Sequence, residues 1–377
     1  MTFKRTISRH LTNYTGWRIN RKIVVIESDD WGTIRCPDKK DHDLFLASFS
    51  SQIRNPYLLV DTLASSQDLD RLFNLISKYR DWTGTHPLIT FNTVVANPDF
   101  QKIRESGYQH YYLEPFTSTL LKYSKHQHSF RLWKEAIQNQ LMFPQFHGRE
   151  HVNVPIWLAL LQGGNEHLIK AFSLNNWSPP HQLIGSKIKL QASLDYQGEQ
   201  PREYQQLFIE EGLDLFQEIF GFSSKTMIAN NFIIHPNLLP VATNRKIEAM
   251  QGMKYQMLPY GSSHSKNRVK VRRYTGKQRK DALINLVRNC VFEPAQTKDY
   301  FDDVDSCMAD ISNAFRWKKP AIITTHRLNY IGHLKEENAA KNIRRLEQLI
   351  KKILGKWPDV EFFHSAGLAD LIAADLH

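Results

Sequence analysis

The stretch KIVVIESDDWGTIR, residues 22–35, decides the fold. Four β-branched residues, Ile23 to Ile26, run straight into Glu27, Ser28, Asp29 and Asp30. An apolar β-branched run of this kind reads as a buried strand. Two adjacent carboxylates at its end repel each other, and burial makes each costlier. Solvent, an arginine or a metal ion must offset that cost.

Working outward, similar short runs recur along the chain. They are LITFNTVV (88–95), MFPQFHG (142–148), KLQASLDY (189–196), TMIANNFII (226–234), YQMLPYG (255–261), NCVFEP (289–294), AIITTHR (321–327) and VEFFHS (360–365). Helical patterns lie between most of them. Leu69, Leu72, Leu75 and Ile76 recur at helical spacing within 66–81, with Ser66 as the expected cap. Ile343, Leu346, Leu349, Ile350, Ile353 and Leu354 form a second stripe, and a last helix, AGLADLIAADL, follows Ser365 as its cap. Strand then helix, repeated, argues an α/β fold with a parallel sheet. The simplest form is a single distorted (β/α) barrel of about seven parallel strands with insertions, spanning 22–377 behind an N-terminal extension, 1–21. Several strands end in polar residues: Asp29 and Asp30, Asn92, His147, Asn230 and Asn231, Glu293 and His326. Strand C-termini of a parallel barrel open on one face, so these residues are expected to converge.

Composition narrows the class. The 377 residues are 41% hydrophobic and 23% charged, which is ordinary for a globular protein. Cys36, Cys290 and Cys307 form no CxxC pair and no disulfide ladder, which points to a reducing compartment and away from a cysteine-based zinc site. The N-terminus is basic but carries no apolar stretch of a secretory signal. No window approaches the roughly 18 apolar residues of a membrane span. A soluble, cytoplasmic protein is expected. The net charge is +11, and the densest basic stretch, SKNRVKVRRYTGKQRK (265–280), holds a single aromatic, Tyr274. Bases would have no aromatic series to stack on, so this stretch reads as an exposed loop and not as a nucleic-acid site.

Two further stretches carry chemistry. In FPQFHGREHVNVP, His147 and His151 are four apart, the spacing that puts two side chains on one face of a helical turn. With one carboxylate they make a ligand set of two nitrogens and an oxygen, leaving a position for water, as in catalytic zinc sites. The same residues match H-x-x-E-H, a zinc-protease pattern with Glu150 as base, but Pro144, Gly148 and Pro155 break the long helix that pattern needs. In AIITTHRLNYIG an apolar strand ends in Thr325, His326 and Arg327.

Taken together, the three pieces resemble the polysaccharide deacetylase family, the NodB-homology or carbohydrate esterase type. That family has a first strand ending in T-F-D-D-G, then H-[ST]-x-x-H, then a late strand ending L-x-H. Here E-S-D-D-W, H-G-R-E-H and T-T-H stand in the same order, and DVEFFHSAGLADLI looks like the closing strand and helix. The resemblance implies a distorted (β/α) barrel, one divalent metal ion, most simply Zn2+, and hydrolysis of an amide or ester. It implies that Asp29 is the general base, that Asp30, His147 and His151 hold the metal, and that His326 is the general acid. The chain departs from the pattern at Trp31 and Gly148 and in the long segment between Asp30 and His147. The arginine that steadies the family's base has no evident counterpart, with Arg149 and Arg327 as substitutes.

The residue types suit that chemistry. A zinc-like ion lowers the pKa of a bound water to about 7 and polarises an acetyl carbonyl. An aspartate accepts the water proton, and a histidine delivers one to the leaving amine. Asn92, Asn97, Asn231, Arg327, Asn329 and Arg149 would suit sugar hydroxyls, and Trp31 or Tyr260 a ring face. Glu293 is most simply an ion-pair partner of Arg288. The leading expectation is a metal-dependent hydrolase that removes an N- or O-acetyl group from a carbohydrate. The alternatives are an amidohydrolase of the same scaffold acting on a non-sugar C–N bond, and a non-catalytic glycan-binding barrel.

Overall fold

The computed structural model describes residues 9–53, 55–261, 267–277, 283–297 and 303–375. Strand β1, Lys22–Trp31, is its axis. Beside it, in parallel, runs the strand Ala321–His326, in register from Val24 opposite Ala321 to Asp29 opposite His326. On the other edge, β2 (Ile89–Thr93) pairs with the second half of β1, and the closing strand Val360–Phe363 pairs with its first half. From β2 the parallel sheet continues through β3 (Met142–Phe146), β4 (Thr226–Met227), β5 (Ala249–Gly252) and β6 (Ile284–Val287). Two residues later the same chain segment resumes as β7 (Cys290–Val291), which pairs with Ala321–His326. The latter strand is β8, and Val360–Phe363 is β9. Arg288 and Asn289 thus join two halves of one broken strand. One half bonds to β5 and the other to β8, and this returns the hydrogen-bonded path to β1. With β6 and β7 counted as one, seven parallel strands make the circuit. This is the distorted barrel expected from the sequence.

Side chains alternate across a strand, so Ile23, Val25, Glu27 and Asp29 share one face of β1. Ile23 and Val25 pack with Ala249, Leu286 and Ile322 from other strands, which marks that face as the barrel interior. Helix α1, Ser66–Ile76, and helix α2, Glu336–Lys356, lie against the outside, where Leu69, Leu72, Leu346 and Ile350 meet Val24 and Ile26. Burying each such side chain stabilises by roughly 1.5–3 kcal/mol. Helix α3, Ser365–Asp375, contributes Leu368, Ala369 and Ile372 to the apolar end of the interior. The interior therefore passes from apolar at the strand starts to charged at the strand ends.

Several local expectations change. The cap of α1 is Ser65, one residue early, in a reciprocal pair with Asp68. Ser365 does not cap α3: its hydroxyl donates to Glu27 inside the barrel (2.8 Å), and the His364 ring accepts the Gly367 N–H instead (3.1 Å). KLQASLDY is a run of turns held by local bonds such as Ala192 N–H to the Lys189 carbonyl. Tyr255–Met257 leaves the barrel and pairs antiparallel with Lys270–Arg272, so part of the basic stretch is ribbon. Its residues 265, 266 and 278–280 lie outside the described residues. Residues 9–21 dock on the barrel wall through Arg9 to Asp310 and Asn13 to Asn313. Among the described residues no helix is long and apolar enough to cross a membrane.

Candidate metal centre

Asp29 and Asp30 solve their repulsion by diverging. Asp29 keeps the alternation of β1 and points into the barrel. Asp30 would face outward, but β1 and β2 slip register between Ser28 and Trp31, and Asp30 takes a left-handed φ of 72°. Such a bulge re-aims a side chain. Asp30 Oδ1 lies 3.2 Å from Nε2 of His147 and 3.2 Å from Nε2 of His151. The three buried groups offer ligand atoms within 4.8 Å of one another.

The two histidines do not share a helical turn. They flank an irregular loop after β3, in which Gly148 has φ 120° and a Cβ would stand 2.8 Å from Asn230 Oδ1. Glycine is required there, which accounts for its place between the histidines. Backbone bonds from His147 N–H to Thr93 and from Val95 N–H to Gly148 hold the loop.

The residues fit a metal ion. His147 Nδ1 lies 3.0 Å from the Ile228 carbonyl, an acceptor, so this nitrogen carries the proton. In the neutral ring Nε2 is then bare, and it faces a carboxylate oxygen at 3.2 Å. Two acceptors at that distance call for a cation between them. The carbonyl bond also fixes the ring as a second contact does for zinc-binding histidines. His151 lacks that support: its Nδ1 is buried with no hydrogen-bond partner among the described residues, and its ring stacks on Trp177. Burial is the main reason its pKa is lowered, which favours the neutral, ligating form.

Asp29 is held by Arg288, the residue at the break between β6 and β7. Nη1 donates to Oδ2 (2.7 Å) and Nη2 to Oδ1 (2.6 Å), while Nε donates to Glu27 (2.6 Å). Asn92 Nδ2 adds a bond to Asp29 Oδ1 (2.7 Å). Burial pushes the Asp29 carboxyl up, but the Arg288 guanidinium reverses this and brings it to about 2. Across the strand pair, His326 Nε2 stands 3.7 Å from Asp29 Oδ2. His326 Nδ1 bonds Glu293 Oε1 at 2.5 Å, and Asn329 holds the other Glu293 oxygen at 2.8 Å. Burial alone would lower the His326 pKa, but Glu293, then Asp29 and Asp30, raise it to about 10.

Asp29, Asp30, His147, His151 and His326 thus meet at one end of the barrel. Asn92, Glu293 and Asn329 join them through Asp29 and His326, whereas Trp31, Arg149 and Arg327 are engaged elsewhere. Trp31 is 1% exposed and stacks on Phe91 at 3.6 Å, so its ring offers no face to a sugar. Arg149 forks onto Glu150 (2.7 and 2.8 Å) and reaches Glu211 on the helix Glu203–Phe220. That pairing also removes Glu150 as a base. Arg327 is fully buried against Asp61 and the Thr33 carbonyl. Asn231 is half-buried in a left-handed turn after β4. Neither Arg149 nor Arg327 steadies Asp29; Arg288 does, and Glu293 serves His326 and not Arg288. Sequence reasoning also passed over Tyr57, whose ring meets His326 edge-on at 5.4 Å.

No protein-family model matches the chain, and no curated protein matches it. Comparison with solved structures returns likenesses at low identity. Polysaccharide deacetylases stand among them. One is the "putative polysaccharide deacetylase" of Mycobacterium smegmatis, with 10% identity, TM-score 0.45, and 96% of this chain and 94% of that chain covered. Another is a polysaccharide deacetylase from Bacillus cereus, with 9% identity, TM-score 0.29, and 72% and 64% covered. A likeness outside that group is the 4-alpha-glucanotransferase of Thermococcus litoralis, with 7% identity, TM-score 0.47, and 92% of this chain against 40% of that one.

A metal held by Asp30, His147 and His151 should stabilise the native protein. Zinc added to metal-stripped protein at about 100 times its dissociation constant should add about 2.7 kcal/mol and raise the thermal midpoint. A His147→Ala, His151→Ala variant should show no such rise. An equal rise in that variant would place the metal elsewhere.

Proposed function

We propose that this protein is a metal-dependent hydrolase that removes an acetyl group from an N- or O-acetylated carbohydrate. The observation that carries the reading is the pairing of Asp29 with His326 in β1 and β8, next to the ligand set begun by Asp30. The order of the three motifs supports the same reading. Asp30, His147 and His151 would hold one divalent ion, most simply zinc. Bound there, such an ion supplies a Lewis acid and makes water nucleophilic near neutral pH.

The chain's own groups divide the proton work. Arg288 and Asn92 occupy Asp29 Oδ1, while Oδ2 accepts one Arg288 bond and faces His326. Oδ2 is therefore the atom that takes the proton of the attacking water. His326, charged and held by Glu293, donates its Nε2 proton to the leaving nitrogen or oxygen. The C–O bond to water forms, the acyl C–N or C–O bond breaks, and acetate and the free amine or hydroxyl result. The buried free thiols Cys36, Cys290 and Cys307 support a reducing, cytoplasmic setting.

An amide needs the acid badly, and an activated aryl acetate hardly at all. His326→Ala should lose roughly 10²–10⁴-fold on an N-acetyl sugar and far less on 4-nitrophenyl acetate, with zinc content unchanged. Equal losses on both in a folded, zinc-loaded variant would remove His326 from the acid role. Absence of turnover on any acetylated sugar, with aryl acetate still cleaved, would point to a non-sugar C–N bond.

The pH profile gives a second test. Asp29 works when charged and is charged above its depressed pKa. His326 works when protonated and loses that proton as pH rises through its raised pKa. Activity should therefore fall on the alkaline side. Glu293→Gln removes the chief group that raises His326, so the alkaline limb should move to lower pH. A limb that stays in place would detach it from His326.

A further inference from the structure

Asp61 is a buried carboxylate shared by two guanidiniums. Its Oδ1 accepts from Nε and Nη2 of Arg327 (3.0 and 2.9 Å), and its Oδ2 accepts from Nε of Arg35 (3.0 Å). Arg327 uses Nη1 as well, on the Thr33 carbonyl (2.7 Å). Arg35 does not: its Nη1 and Nη2 have no hydrogen-bond partner among the described residues, although the residue is only 4% exposed. The guanidinium keeps only a small solvent contact, and its open fork is free to take an anion.

The position of that fork is informative. Arg35 lies 4.6 Å from the ring centroid of Trp177, whose ring stacks on His151. It also lies 5.9 Å from the ring of Tyr57, which meets His326 edge-on. The guanidinium therefore stands between two rings, one touching the metal side of the barrel mouth and the other the acid side.

We propose that Arg35 is an anion subsite, taking a phosphate or carboxylate group that the substrate carries near the bond to be cleaved. This rests on the hydrolase reading above and narrows it to anionic acetylated substrates. A planar guanidinium suits either group, because its paired N–H donors match two anionic oxygens. The competing role is mechanical: Arg35 would only tie the segment after β1 to Asp61 and Trp177.

Calorimetry on zinc-loaded protein separates the two without using turnover. The probes are glycerol phosphate, glycerate and neutral glycerol. Wild type should bind at least one of the two anions tenfold or more tighter than glycerol, and the stronger of them tells phosphate from carboxylate. Arg35→Gln should lose tenfold or more of that affinity with zinc content unchanged and a single cooperative thermal transition retained, its midpoint lowered by loss of the Asp61 pair. Arg35→Lys keeps the charge toward Asp61 but loses the fork, and should fall between. Anion affinity equal in wild type and both variants, or no preference over glycerol in wild type, would overturn the subsite and leave Arg35 mechanical. Failure of acetyl-sugar hydrolysis would overturn the catalytic reading alone, because the binding result does not depend on it.

Discussion

The site depends on one buried guanidinium. Arg288 stands where the broken strand passes from β5 to β8, and it binds Glu27 and Asp29 at once. Two carboxylates and one arginine inside a barrel carry a heavy desolvation cost, and their attraction offsets it only with further hydrogen bonds. Those bonds are present: Ser365 donates to Glu27, Asn92 donates to Asp29, and Thr324 accepts from Arg288. Removing one partner of such a cluster typically costs about 3–5 kcal/mol, because the remaining charges stay buried. The same residue therefore closes the barrel, keeps Asp29 ionised and fixes its orientation.

From that constraint the rest of the centre follows. Asp29 must stay on the interior face, so its neighbour must turn away, and the bulge with a left-handed Asp30 does this. Parallel register then sets His326 beside Asp29 without any special loop. The candidate metal ligands come from the strand end of β1 and the loop after β3, and the proposed acid from β8. Residues distant in sequence meet because parallel strands share one open end.

Much of this was legible in the sequence for physical reasons. Short apolar or β-branched runs that end in polar residues mark strands whose ends carry chemistry, and β1, β2, β3, β8 and β9 are readable that way. Order of motifs then linked Asp29, Asp30, His147, His151 and His326. Other features left no local signal. Ala249–Gly252, sequence AMQG, has no β-branched residue, and only its neighbours make it a strand. The spacing of His147 and His151 suggested a helical turn, yet a glycine with positive φ and backbone bonds to β2 bring the rings together. Trp31 sits in a polar motif but is claimed by the aromatic core. The partners of Arg288 and Glu293 are set by which strands adjoin, a long-range fact that neither residue's neighbours in sequence reveal.

Asp30, His147 and His151 are proposed to form a single metal site. X-ray absorption at the zinc edge, on protein purified without a histidine tag and loaded with one equivalent of zinc, tests it most directly. The structure predicts a four-coordinate ion with two imidazole nitrogens and oxygen ligands, all at roughly 2.0–2.2 Å, and loss of one imidazole in His147→Ala. A spectrum with sulfur ligands, or one unchanged by His147→Ala, would contradict it.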